Sequence, residues 1–172
     1  MISDPIFICE YDPRWPLEFA RLRERVIEAV GDIVVRVEHV GSTAVPGLAA
    51  KPVIDLDVVI RSTSDFAFAV ERLARLGYDH EGDLGVAQRE AFAHPAGEAR
   101  HHLYVCVEGA EPLRRHLRFR DRLRGDPALA AAYADLKRHL AERFRDDRDA
   151  YTEGKTSFIE AALADTTDAP SA

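Results

Sequence analysis

The chain has 172 residues, enough for one domain with a sizeable core and too few for two of ordinary size. Hydrophobic residues make up 47% and charged residues 31%, a balance that excludes an intrinsically disordered chain. Acidic residues outnumber basic ones by 30 to 23, and the net charge of -7 has the wrong sign for broad nucleic-acid binding, while leaving room for a local basic pocket.

Cys9 and Cys106 lie far apart and belong to no CxxC pair, so zinc and redox sites have no support. No stretch approaches the ~18 consecutive apolar residues that a membrane span needs. The start, Met1-Ile2-Ser3-Asp4-Pro5, has no basic segment leading into an apolar run, and the expected location is cytoplasmic.

Along the chain, the spacing predicts a first helix from about Pro13 to Val30. Trp15, Phe19, Leu22, Val26 and Ala29 form its apolar stripe, Asp12 its N-cap and Gly31 its stop. Ile33 to Val40 and Val53 to Ile60 are rich in β-branched residues and read as strands. Ser64 is expected to cap a helix carrying Phe66, Val70, Leu73 and Leu76, which Gly77 closes. Glycines between Tyr78 and Gly97 suggest short strands joined by hairpins, and Leu103 to Val107 is a further strand. About three helices follow. One runs from Glu111 to Gly125, the next is capped by Asp126-Pro127, and the last presents Tyr151, Lys155, Phe158 and Ala162 on one side. This order predicts an α+β (or α/β) fold with a mixed sheet, an N-terminal helix and a C-terminal helical segment. A single domain is expected over 1–165, with a polar, disordered tail at 166–172.

Chemistry concentrates between Glu38 and Asp57. A strand ends in Gly41-Ser42, a loop of small residues follows, and the next strand brings Asp55 and Asp57. Residues two apart on a strand share a face, so both carboxylates can reach one cation while Leu56 and Val58 enter the core. Oxygen-only ligation suits Mg²⁺ (or Mn²⁺), which takes one or two carboxylates and completes its shell with water and substrate phosphates. A Gly-Ser turn lets backbone N–H groups approach a phosphate, with the Ser42 hydroxyl as a further donor.

The Gly-Ser, spacer, Asp-x-Asp pattern resembles the nucleotidyltransferase superfamily related to DNA polymerase beta. The fuller string Glu38-His39-Val40-Gly41-Ser42-Thr43-Ala44-Val45-Pro46-Gly47-Leu48, running on to Lys51-Pro52-Val53-Ile54-Asp55, is similar to the GrpB family within it. So are Phe119-Arg120-Asp121, Tyr133-Ala-Asp-Leu-Lys137 and Tyr151-Thr-Glu-Gly-Lys155, and the resemblance covers roughly residues 8–163. It implies a minimal nucleotidyltransferase core followed by helices. A related domain occurs fused to some bacterial dephospho-CoA kinases, where it is thought to aid folding.

An active site of that superfamily usually carries a third acid on a later strand, whereas the matching segment here reads His101-His102-Leu103-Tyr104-Val105. His102 is the candidate to stand in as a general base or ligand. Lys51, Arg120, Lys137 and Lys155 are candidates to neutralise phosphate charge; the rest of the arginine-rich run from Arg114 to Arg124 reads as a solvated face. Two readings stay open. The first is a metal-dependent nucleotidyltransferase that uses a nucleoside triphosphate and acts on a small-molecule or protein acceptor, not a nucleic acid. The second is a catalytically inactive nucleotidyltransferase-like domain that binds a ligand or supports folding. The sequence leaves the oligomeric state open.

Overall fold

A computed structural model describes residues 5–164, so the tail expected at 166–172 lies outside the described residues. Helix α1, Trp15–Val30, starts two residues later than the spacing predicts. Asp12 is not its N-cap: the side chain is held by Arg14, and a turn precedes the helix. Strands β1, Val34–Val40, and β2, Ile54–Ile60, follow, and then α2, Phe66–Ala74. Ser64 does not cap α2 either, because it lies in a short 3-10 turn with its hydroxyl bonded to Ser62. The region of clustered glycines forms β3, Asp79–Gly82, and β4, Arg89–Ala93, paired antiparallel. Strand β5 is His101–Val107.

The sheet order is β1-β2-β5-β4-β3, with β2 and β5 parallel and the other pairs antiparallel, giving an α+β fold on a mixed sheet. Strand alternation divides the sheet into two unlike faces. On one, Leu56, Val58, Leu103 and Val105 pack under Leu22, Val26 and Val30 of α1 and Leu73 of α2, all fully or nearly buried. The other carries Asp55, Asp57, His102 and Tyr104 before it turns apolar at Val59 and Cys106. This second face is where the remaining helices gather.

Among the described residues those helices number four where about three are expected: α3, Glu111–Gly125; α4, Pro127–Arg143; α5, Arg148–Glu153; and α6, Thr156–Ala164. The single last helix expected from the sequence breaks at Gly154-Lys155. Bonding there tightens to an i→i−3 contact, Lys155 N–H to the Thr152 carbonyl, before α6 begins. Glycine is a poor helix former, and Gly154 lies so close to Leu140 that a Cβ would be 2.6 Å from its Cδ2. Lys155 therefore sits at a corner between helices. Among the described residues no helix is long and apolar enough to cross a membrane.

The junction of α3 and α4 is the most clearly encoded boundary. Asp126 accepts from the backbone N–H of Ala128 and of Leu129, each at 3.0 Å, and Pro127 opens the helix where no donor is needed. Asp126→Ala should cost about 1 kcal/mol in urea unfolding, the usual size of a lost N-cap.

Candidate active site

The site begins where β1 ends. Gly41 has φ 74° and ψ -169°, a region open essentially to glycine alone. A Cβ there would lie 2.1 Å from Asp55 Oδ2, so bend and carboxylate are in direct contact. Ser42–Ala44 then form a 3-10 turn braced from three sides. Thr43 Oγ1 is hydrogen-bonded to His39 Nε2 at 3.0 Å and donates to the Val53 carbonyl at 3.4 Å. Arg124 donates twice to the Ala44 carbonyl, at 2.9 and 2.7 Å. His39 stacks on Phe19 with ring centres 4.5 Å apart. Burial lowers its pKa to about 4, which keeps it a neutral brace at physiological pH.

Three carboxylates share the polar face, and each has its own partner. Strand register aligns Glu38 with Asp57 and Tyr104, and Val40 with Asp55 and His102. Asp55, its side chain 27% exposed, accepts through Oδ1 from His102 Nδ1 at 2.7 Å. Asp57 is wholly buried and accepts through Oδ2 from His116 Nδ1 at 2.7 Å, while its Oδ1 has no partner. Glu38 accepts from Arg120 and from Arg36, each at 2.9 Å. Burial raises the Asp57 pKa against the opposing pull of His116. Burial lowers that of His116, but the hydrogen bond and charge of Asp57 outweigh it and the net shift is upward.

His116 and Arg120 are one turn apart on α3, so they meet two cross-strand neighbours, Asp57 and Glu38. With Leu113 below and Arg124 above, they make the inward face of a helix that the sequence suggests is solvated. His116 was not legible as a site residue. Its only signal is its place four residues before Arg120 on the Leu113 face.

In front of Asp55 opens a cavity of about 330 Å³, which gathers Gly41, Ser42, Lys51, Asp55, His102, Lys137 and Lys155 with Tyr104, Tyr133 and Tyr151. Asp57 lies beneath the cavity rather than in its lining, and Arg120 braces the loop by donating to the His39 carbonyl. The lysines rest on aromatic rings. Lys51 and Lys155 lie 4.9 and 4.6 Å from the Tyr151 ring centre, and Lys137 lies 4.7 Å from that of Tyr133. Lys137, 2% exposed, donates to the Ala49 carbonyl at 2.5 Å. Among the described residues none of the three lysines forms an ion pair with a carboxylate. Burial foremost, and then neighbouring cations, lower the pKa of Lys137 to about 7. Burial and Lys51 lower that of Lys155 to about 8.

Concentrated positive charge without a counter-ion suits a multiply charged anion. A larger cavity of about 560 Å³ lies between residues 46–49 and α4, but its charged members are already engaged: Arg124 with Ala44, and Arg138 with Glu10 and Asp135. For a cation, no group of three or more His, Cys, Asp or Glu side chains is disposed to hold an ion by itself among the described residues. At the bend the carboxylate is Asp55, and on the same strand face Asp57 Oδ1 is buried without a partner; two carboxylates suit a hard ion that draws its other ligands from phosphate and water.

The fold is one that a solved polymerase shares. The Cid1 poly(U) polymerase, in a mutant form bound to MgATP, superposes with a TM-score of 0.50 at 14% identity, over 76% of this chain and 45% of that one. The chain belongs to the GrpB family, whose model, described as GrpB protein, matches residues 5–165. The crystal structure of the conserved protein GrpB from Enterococcus faecalis is similar throughout, with a TM-score of 0.84 and 31% identity over 92% of this chain and 95% of that one. The UPF0157 protein YqkA of Bacillus subtilis is 34% identical over 152 residues, 88% of this chain. The chain spans 44% of the length of YqkA.

Proposed function

We propose that this chain is a metal-dependent nucleotidyltransferase that moves a nucleoside monophosphate from a triphosphate to a small-molecule or protein acceptor. One observation carries this reading: the Asp55 carboxylate touches the Gly41 bend and faces a cavity with three lysines that lack counter-ions. In this scheme Asp55 and the unpartnered oxygen of Asp57 hold Mg²⁺ or Mn²⁺, and the rest of the ion's shell is phosphate and water. Bound there, the ion supplies charge neutralisation at the transferring phosphorus.

The remaining work falls to the chain. Backbone N–H groups and the hydroxyl at Gly41-Ser42 cradle phosphate oxygens. Lys51, Lys137 and Lys155 neutralise the triphosphate tail and then the leaving pyrophosphate. His102 donates from Nδ1 to Asp55, which turns Nε2 toward the role of taking the acceptor's proton. A histidine oriented by a carboxylate thus occupies the role of the absent third acid. Glu38 and Arg120 hold the bend from behind.

The competing reading, a catalytically silent ligand-binding domain, draws its support from Asp57, which is fully buried and closed over by His116. A thermal-shift titration with ATP and other triphosphates separates the two. In the presence of Mg²⁺, a triphosphate at about 100 times its dissociation constant should stabilise the protein by about 2.7 kcal/mol, or roughly 5–10 °C at this size. Asp55→Asn should remove that shift and leave the unliganded melting temperature nearly unchanged. A wild type that no triphosphate stabilises, with an Asp55→Asn variant that does not fold, would establish the silent domain instead.

A further inference from the structure

A third cavity, of about 440 Å³, opens on the far side of Tyr104 between residues 85–89 and the start of α3. Arg89 reaches into this region from β4. It is the cross-strand partner of Cys106 and so shares the polar face with Tyr104 and Asp57. Its guanidinium lies over the Tyr104 ring, 4.5 Å from the centre. The Arg89 side chain makes no ion pair or hydrogen bond among the described residues, and its Nε is buried without a partner. An arginine is always charged and carries five donors, and of these Nε alone is sealed and unpartnered here, so the fork nitrogens can meet a ligand.

Its neighbours set the sign of that ligand. Arg115 and Glu111 line the cavity too, but they are neutralised by Glu160 and Arg114 respectively. His116 adds an Nε2 that makes no hydrogen bond among the described residues, since only Nδ1 is engaged, by Asp57. The N-terminus of α3, at Glu111, contributes the positive end of its dipole. Arg89 is the one charged side chain of this lining without an ion pair among the described residues, so the unpaired charge facing the cavity is positive.

We infer that this cavity is a second anion site, that Arg89 is its main ligand-binding residue, and that it takes a phosphate-bearing small molecule. A planar guanidinium fork matches the several oxygens of a phosphate better than a single point charge would. Tyr104 lines the lysine-rich cavity and underlies Arg89, so the two anion sites stand on either side of one ring. Resting on the nucleotidyl-transfer reading, the phosphate held here is that of the acceptor, anchored next to the triphosphate.

The test is a site-resolved NMR titration of the full chain with inorganic phosphate, following the Arg89 Nε–H resonance, which is assigned by its loss in Arg89→Lys. Saturable movement of that resonance is expected. In Arg89→Gln, phosphate binding followed at the His116 ring should weaken about tenfold or more, the equivalent of one lost charge-assisted hydrogen bond. If Arg89→Gln does not fold, the Lys variant supplies the comparison, with weaker phosphate binding still expected because its fork is gone. An Arg89 resonance that phosphate leaves unmoved, or variants that bind phosphate as the wild type does, would overturn the site. The Mg²⁺-dependent ATP shift should persist in Arg89→Gln. In the wild type, an Arg89 resonance unmoved by phosphate beside an intact ATP shift sinks this inference alone, and a phosphate response without any ATP shift sinks the transferase reading alone.

Discussion

Gly41→Ala should abolish the Mg²⁺-dependent nucleotide shift and destabilise the fold by roughly 2–4 kcal/mol, the sum of backbone strain and a forced displacement. The backbone at Gly41 lies where non-glycine residues are strained, and the new methyl would stand 2.1 Å from Asp55 Oδ2. Relief requires Asp55 to rotate away, and its hydrogen bond to His102 Nδ1 would go with it. Bend, carboxylate and imidazole therefore fail together. Gly47→Ala is the control. Its φ of 80° carries a similar backbone penalty, but no atom lies within 4 Å of the added methyl. Gly47→Ala should cost about 1 kcal/mol and leave nucleotide binding intact. Urea unfolding and thermal shift on the two variants measure both halves of the expectation.

The second large effect is a pair of opposite pH slopes with a common origin in Lys137. Burial and nearby cations hold its pKa near about 7 in the native state, against about 10.4 in an unfolded chain. Between those values the unfolded state binds more protons, so stability rises with pH across the window and the slope vanishes below it. The rise should reach a few kcal/mol, order of magnitude, by pH 10, with Lys155 acting in the same direction from about 8.

Triphosphate binding should run the other way. The anion favours protonated lysines, so affinity falls as pH climbs from 7 to 9, and binding at pH 8 takes up protons. Calorimetry in buffers of different ionisation enthalpy counts those protons. Lys137→Met should flatten the stability slope and reduce the proton uptake. Its stability at any single pH is a poorer guide, since removing a buried cation is offset by leaving the Ala49 carbonyl unbonded.

Much of this molecule could be read locally. Alternation along β2 put Asp55 and Asp57 on one face and Leu56 on the other, and Asp126-Pro127 announced the start of α4 through groups two or three residues away. Local signals also misled. Asp12 and Ser64 are good capping types, but each found a nearer side-chain partner, and a continuous apolar stripe hid the corner at Gly154.

The amino-acid sequence by itself determined the strands, the glycine-serine bend, the shared face of the two aspartates and the family, because each of these depends on neighbours along the chain. Only the tertiary structure decided that Asp55 opens into a cavity while Asp57 is sealed beneath α3, and that three lysines from a loop, a helix and a helix corner converge on that opening. The physical reason is that strand alternation fixes which way a side chain points but not what packs against it. His116 and Asp57 are 59 residues apart, and Arg120 and Glu38 are 82 apart. Pairings at such distances come from the docking of a helix on a sheet, which no local periodicity records.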